Sequence, residues 1–253
     1  MRKRGQISVF IIVAIVIVVT LILYFAVKGD LIFVSGINPE IEHIYSFVDN
    51  CVNQVSEDAI YQIGYSGGYF LTPEVASETG IAIYFDRGEN LIPLKEDIEN
   101  ELSLYVNDML FFCVQNFVDF PDFIVDAGEI KSEVEIVEGK VIFYVNYPLS
   151  INKGDNTYSL KSFKTEIPSR LNTIYNVALE IILEQMLYYG GVCVNCVSEI
   201  AYENQVYVFM NDDFFDSDIL LFSIVDDLYK INEEDYTFYF ANRYDEESEL
   251  LEE

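Results

Sequence analysis

The stretch VEIVEGKVIFYVNYPLSINKGDNTYSLKSFKT, residues 134–165, carries the clearest structural pattern in the chain. Apolar and polar residues alternate in three runs, as in strands that bury one face. Glu138-Gly139 and residues 153–156 separate the runs and have the composition of turns. The pattern therefore predicts a three-stranded antiparallel meander.

Amphipathic helices are predicted on both sides of this meander, because apolar residues recur there at spacings of three and four. Asn38 and Pro39 supply a cap and a first helical position for the first helix. The predicted helices cover residues 39–64, 93–113 and 168–190, and further strands lie near residues 81–85, 199–210, 219–225 and 236–241. This order predicts an α+β domain of about three amphipathic helices and an antiparallel sheet.

The N-terminal segment is predicted to be a transmembrane helix. Residues 7–27 carry no charge and would span about 30 Å as a helix, the thickness of a bilayer core. Arg2, Lys3 and Arg4 precede this segment, and only Lys28 follows it before an acid-rich chain, so the N-terminus is predicted to stay cytoplasmic. The run is longer than the apolar region of a secretory signal and has no small-x-small cleavage site, which favours a retained anchor.

The predicted layout of the chain follows from this anchor. It comprises a cytoplasmic basic stub at residues 1–6, the transmembrane helix at 7–27, a connector at 28–38, an extracellular α+β domain at 39–244 and an acidic tail at 245–253. The bilayer is then one partner, through residues 7–27.

The charge of the chain excludes one class of function. There are 43 acidic and 14 basic residues, which gives a net charge of −29. Phosphate binding needs Lys and Arg to displace counterions, so nucleic acid is not expected as a partner. The acid excess favours solubility, with specific cation binding as the alternative.

Two of the four cysteines fall on predicted helices. Cys51 and Cys113 each lie on the apolar face of an amphipathic helix, and facing helices bring such side chains within disulfide distance. In an oxidising compartment a Cys51–Cys113 bridge is expected, with two buried thiols as the alternative.

The other two cysteines form the motif Cys193-Val194-Asn195-Cys196. A thiol oxidoreductase has such a pair at a helix N-terminus, which lowers the pKa of the first thiol. Here the pair follows a predicted helix end and is expected to lead into a strand. The sequence therefore favours a local structural disulfide over redox catalysis or a metal site.

Metal and hydrolase sites receive little support, and no cofactor, metal or catalytic residue is predicted. His43 is the one histidine and lies on the first predicted helix, which limits zinc sites and catalytic triads. An acidic run offers carboxylates for calcium but lacks the central Gly and closing Glu of an EF-hand loop. Its residues are Asp212, Asp213, Asp216 and Asp218.

The N-terminus also carries a recognisable signal, formed by Lys3, Arg4, Gly5, Gln6 and Ser8. This run resembles the start of archaeal exported proteins with class III, type IV pilin-like signals. In that family a basic stub is cut before Gln-x-Ser-x-Glu, and the following helix packs in a filament core. Phe10 stands where the family has Glu. The resemblance implies processing before Gln6.

A second resemblance covers more of the chain. It rests on residues 47–51, 63–69, 89–91, 147–149 and 240–244. Together these segments resemble a group of uncharacterised single-pass membrane proteins of small-genome archaea. The resemblance implies a membrane location and no particular chemistry.

Three functional hypotheses follow. The first is a non-enzymatic, membrane-anchored cell-surface protein with protein partners at the cell envelope. The second is a pilin-like filament subunit processed before Gln6. The third is an exported enzyme, such as a thiol-disulfide oxidoreductase that uses Cys193 and Cys196.

Overall fold

A computed structural model describes residues 38–187, 191–212, 218–231 and 234–244 of the chain. These residues form four α-helices and nine β-strands in two sheets. The helices are α1 (Glu42–Tyr65), α2 (Lys95–Val114), α3 (Leu171–Gln185) and α4 (Val194–Asn204). The strands are β1 (Ile83–Asp86), β2 (Glu89–Asn90), β3 (Ile124–Ala127), β4 (Lys131–Val137), β5 (Lys140–Lys153), β6 (Asn156–Pro168), β7 (Tyr207–Asp212), β8 (Ile219–Ile231) and β9 (Glu234–Arg243).

The first sheet has the long strand β5 at its centre and contains the predicted meander. Strands β4, β5 and β6 pair in sequence and antiparallel, as the alternating pattern predicts. The short strand β3 pairs with the later part of β5 and was missed in the sequence. The β5–β6 register shifts between Asn146 and Leu149. Pro148, which has no N–H to donate, sits in this irregularity.

The second sheet joins segments from distant parts of the chain. Its strand order is β2-β1-β9-β8-β7, and β1 runs parallel to β9 while the other neighbours are antiparallel. Three aromatic rings stack in its core, with centroids 4.8 Å apart for Phe222 and Phe240 and 5.0 Å apart for Tyr84 and Phe240. The sequence predicted most of these strands but gave no sign that β1 pairs with β9.

Helix α1 connects the two sheets. It packs against α2 and contacts both β6 and β9. A Cβ atom on Gly64 would lie 2.7 Å from the carbonyl oxygen of Thr237. Only glycine therefore allows the end of α1 to approach β9 so closely, and the Tyr236 hydroxyl donates to the carbonyl of Ile60 at 3.1 Å in the same contact.

Several of the predicted element boundaries are wrong. Pro168, predicted to begin the third helix, ends β6, and α3 extends from Leu171 to Gln185. Helix α1 begins at Glu42, because Asn38 accepts a hydrogen bond from the Glu40 N–H in a turn instead of capping the helix. Residues 199–204 belong to α4 and not to a strand. The domain is thus α+β as expected, with one helix more than predicted.

The predicted stub, transmembrane helix and acidic tail lie outside the described residues. Within the ranges that the structure describes, no helix combines the length and apolar character needed to cross a bilayer.

Candidate functional site

The first pair of cysteines joins two packed helices, with Cys51 buried and Cys113 partly exposed. Cys51 of α1 and Cys113 of α2 form a disulfide with a Cα–Cα distance of 5.7 Å and a sequence separation of 62. Cys51 is only 4% exposed. The pairing is the one expected from the apolar faces of the two helices, and its position suits a structural role.

The second pair lies at the beginning of a helix. Cys193 and Cys196 form a disulfide with a Cα–Cα distance of 5.3 Å, and Cys193 is the N-cap of α4. This corrects the expectation that the motif leads into a strand. Val197 and Ala201 form the buried face of α4. Their spacing of four residues is helical, but the valines around them favoured a strand in the sequence.

The helix N-terminus gives Cys193 a favourable electrostatic setting. The N–H of Cys196 points at the Cys193 sulfur, with a nitrogen–sulfur distance of 3.3 Å. The first turn of α4 contains no acidic residue. Unpaired N–H groups and the helix dipole stabilise a negative charge at this position, and so favour a thiolate on Cys193 when the disulfide is open.

The segment before Cys193 is held by a buried amide. Gln185, at the end of α3, is 4% exposed, and its Nε2 donates to the carbonyl of Gly191 at 2.6 Å. Its Oε1 accepts from the hydroxyl of Tyr244 at 2.9 Å. Burial raises the pKa of Tyr244 to about 12, against the opposite effect of the hydrogen bond from Asn242, so this hydroxyl remains a donor at neutral pH. Gln185 therefore fixes the approach to the disulfide.

The other end of α4 is held by a buried ion pair. The Arg170 guanidinium lies 2.8 Å from Asp226 Oδ1, and Asp226 is fully buried. Arg170 also donates to the carbonyl oxygens of Asn204 at 2.5 Å and Gln205 at 3.2 Å. It thus supplies donors to carbonyls that the end of the helix leaves unpaired.

A polar cavity of about 410 Å³ opens beside this ion pair. A helix of 11 residues is about 16 Å long, so the cavity and the disulfide lie at opposite ends of α4. The cavity is lined by Glu138, Arg170, Thr173, Asn176, Glu203, Asn204, Gln205, Leu228 and Tyr229.

The remaining predicted residues that the structure describes are not gathered into one site. His43 is exposed on the first turn of α1. Asp212 ends β7, while Asp213 and Asp216 lie outside the described residues. Asp218 lies 3.5 Å from Arg87, so it takes part in an ion pair. In the part of the chain that the structure describes, no group of three or more His, Cys, Asp or Glu residues is placed to hold a metal ion.

The signal residues Lys3, Arg4, Gly5, Gln6 and Ser8 also lie outside the described ranges.

Sequence reasoning missed the three residues that hold α4. Two of them, Asp226 and Gln185, are recognisable in the sequence because each is polar where its element is otherwise apolar. Asp226 follows the apolar run ILLFSIV in β8, and Gln185 continues the apolar spacing of α3. Arg170 is separated from β6 by Ser169 and is the N-cap residue of α3.

Comparison of the chain with protein-family models, curated proteins and solved structures gave no match.

Proposed function

We propose that this chain is a single-pass membrane protein that displays an acidic, disulfide-bonded domain outside the cell, where the domain contacts other envelope components. The observation that carries the proposal is the Cys51–Cys113 disulfide, which joins two packed helices. Disulfides of this kind persist in oxidising compartments and are rare in the cytosol. Export of the domain is the arrangement that satisfies both this bond and the apolar segment at residues 7–27.

Exposed aromatic side chains support an interaction role. Tyr207 and Phe209 alternate along β7 and are both exposed, as is Tyr202 near the end of α4. Strand β7 is at the edge of the five-stranded sheet. Aromatic residues that stay exposed on an otherwise acidic surface are common at protein contacts.

Membrane placement is tested on the full chain expressed in an archaeal host. We expect the protein to stay with membranes after alkaline extraction, and the domain to be digested when protease is added to intact cells. A matched variant that lacks residues 7–27 should be released from the membrane fraction. Recovery of the full chain in the cytosol with reduced Cys51 and Cys113 would refute the proposal.

Mass spectrometry of the mature N-terminus separates the anchor from the pilin-like alternative. An intact basic stub supports the anchor, because the transmembrane segment then remains preceded by its cytoplasmic charges. Cleavage before Gln6 together with recovery in extracellular filaments would favour the filament subunit instead.

A further inference from the structure

The Cys193–Cys196 pair combines features that the structural role of Cys51–Cys113 does not need. We propose that this disulfide is a thiol–disulfide exchange site that oxidises cysteine pairs in partner polypeptides. The proposal goes beyond display of an interaction domain, since it assigns a reaction to one end of α4. It rests on the position of the pair in the fold, its surroundings and its support.

The Cys193–Cys196 disulfide lies at the N-terminus of a helix. Cys193 is the N-cap of this 11-residue helix, and the Cys196 N–H points at its sulfur. A thiolate formed at Cys193 is therefore stabilised by the helix N-terminus, which makes it a good leaving group. In Cys51–Cys113, by contrast, Cys51 is in the middle of α1, where the backbone N–H groups are already paired.

The surroundings suit a polypeptide partner. Both sulfur-bearing residues are partly exposed, and Val194 between them is 55% exposed. Leu187, six residues before Cys193 in the sequence, is 72% exposed. From Gln185 to Ser198 the sequence has no charged residue, although the chain as a whole carries a net charge of −29. A stretch of sequence without charges can contact an unfolded chain without repelling its carboxylates.

The support of α4 keeps the pair in place. Only Val197 and Ala201 of this helix are buried, so packing alone holds it weakly. Its two ends are nevertheless tied to the domain, by Gln185 at Gly191 and by Arg170 at Asn204. The helix N-terminus can therefore remain formed when the disulfide opens.

The reaction follows from these features. A partner thiolate attacks the Cys193 sulfur, forms a mixed disulfide and breaks the Cys193–Cys196 bond, and Cys196 leaves as a thiolate that takes up a proton. The partner's second thiolate then attacks the partner sulfur that is bonded to Cys193. This closes a disulfide within the partner, and Cys193 leaves as a thiolate that takes up a proton. The partner loses two electrons and two protons, and this chain gains both as two thiols.

The first test uses the full chain, purified in detergent with both disulfides closed. It is equilibrated with glutathione buffers of graded reduced-to-oxidised ratio, alkylated and analysed by peptide mass spectrometry. We expect Cys193–Cys196 to open at ratios that leave Cys51–Cys113 closed, with glutathione attached to Cys193 in the intermediate. The proposal is overturned if both pairs open together, if Cys193–Cys196 opens last, or if glutathione is found on Cys196.

A matched pair of variants tests the role of the helix N-terminus. Cys196→Ser leaves the Cys193 thiol free, and Cys193→Ser leaves the Cys196 thiol free. We expect the Cys193 thiol to be alkylated about tenfold faster at slightly acidic pH, since the helix N-terminus lowers its pKa. Equal rates in variants with unchanged circular dichroism would overturn the proposal.

The oxidising reaction itself is tested with a synthetic peptide that contains two cysteines. One equivalent of closed protein should oxidise one equivalent of peptide, whereas a Cys193→Ala/Cys196→Ala variant should oxidise none. A peptide that remains reduced in both cases would refute the activity. These measurements do not depend on where the protein resides, so their failure would leave the membrane placement standing.

Discussion

The two disulfides of this domain differ in almost every respect that matters physically. Cys51–Cys113 closes a long loop between two packed helices and has one buried partner, whereas Cys193–Cys196 has a sequence separation of only 3 and two partly exposed partners at a helix N-terminus. The chain-entropy relation assigns about 4 kcal/mol to the first loop and about 2 kcal/mol to the second. The comparison shows that the same bond can stabilise a fold in one place and remain accessible for chemistry in another.

The largest expected effect comes from removing the Cys51–Cys113 bond. Cys51→Ala/Cys113→Ala should lower the free energy of unfolding by about 4 kcal/mol, because the unfolded chain regains the freedom that the loop removes. Urea denaturation of this variant and of the unmodified chain measures the change in the free energy of unfolding. Cys193→Ala/Cys196→Ala is the matched control and should lose no more than about 2 kcal/mol. Equal losses of unfolding free energy in the two double variants would show that the two disulfides do not differ in their effect on stability.

A slightly smaller effect is expected when the exposed disulfide loses its support. Arg170→Met leaves the buried Asp226 carboxylate without its cation and should destabilise the domain by about 3 kcal/mol. Hydrogen exchange should also increase in α4, because Asn204 and Gln205 lose their donor. Removing both charges in Arg170→Met/Asp226→Leu should recover much of the stability, and a double variant that is no more stable than the single one would contradict the assignment.

Tyr244→Phe tests the anchor at the other end of α4. Loss of the hydrogen bond to Gln185 should cost about 1 kcal/mol, measured by urea denaturation near neutral pH.

The pH dependence of the unmodified protein gives a second measure of the same contact. The folded pKa of Tyr244, about 12, lies above the ordinary value near 10, so the neutral hydroxyl is favoured in the folded state. Its contribution is complete below about pH 10 and is lost as the pH rises towards 12. If Tyr244→Phe had the same alkaline stability profile as the unmodified chain, this contact would not be the cause.

The smallest effect is expected at a solvent-exposed carboxylate of the first sheet, Glu166. Lys140 and Lys164 lower the pKa of Glu166 to about 2 through hydrogen bonds of 2.5 Å and 2.6 Å. The stabilisation is present above the ordinary carboxyl pKa and is lost as the pH falls through about 2.

Carboxyl-detected NMR titration should show a higher Glu166 pKa in Lys140→Ala. The opening of either disulfide in glutathione buffers should stay unchanged in this variant. If either disulfide opened differently in Lys140→Ala, surface charge, and not the contacts around each disulfide, would explain why the two pairs differ.

The sequence predicted those parts of the fold whose pattern is local. Alternation along β4, β5 and β6 predicted the meander, and the apolar faces of α1 and α2 predicted the pairing of Cys51 with Cys113. Helix α4 was missed because valines around Cys193 suggested extended chain, and its buried face contains only Val197 and Ala201. Propensity gives way to tertiary contacts in such short elements.

The support of the candidate site was beyond the sequence for a different reason. Arg170 and Gln185 lie at the two ends of α3, and their partners Asp226 and Tyr244 come from distant parts of the chain. Polar residues on apolar faces mark positions that need a partner, but they do not say which partner. The pairing of Arg170 with Asp226 became visible only once α3, α4 and β8 were placed together.

The parallel pairing of β1 with β9 has a consequence for how such a domain is made. Ile83 pairs with Ala241, so the five-stranded sheet cannot be completed until almost the whole domain has been synthesised. Contacts between such distant segments slow folding. Cys51 and Cys113 are synthesised much earlier, and their bond can hold α1 and α2 together until β9 has been synthesised. The Cys51–Cys113 disulfide would then keep the two helices together during synthesis, before it stabilises the completed domain.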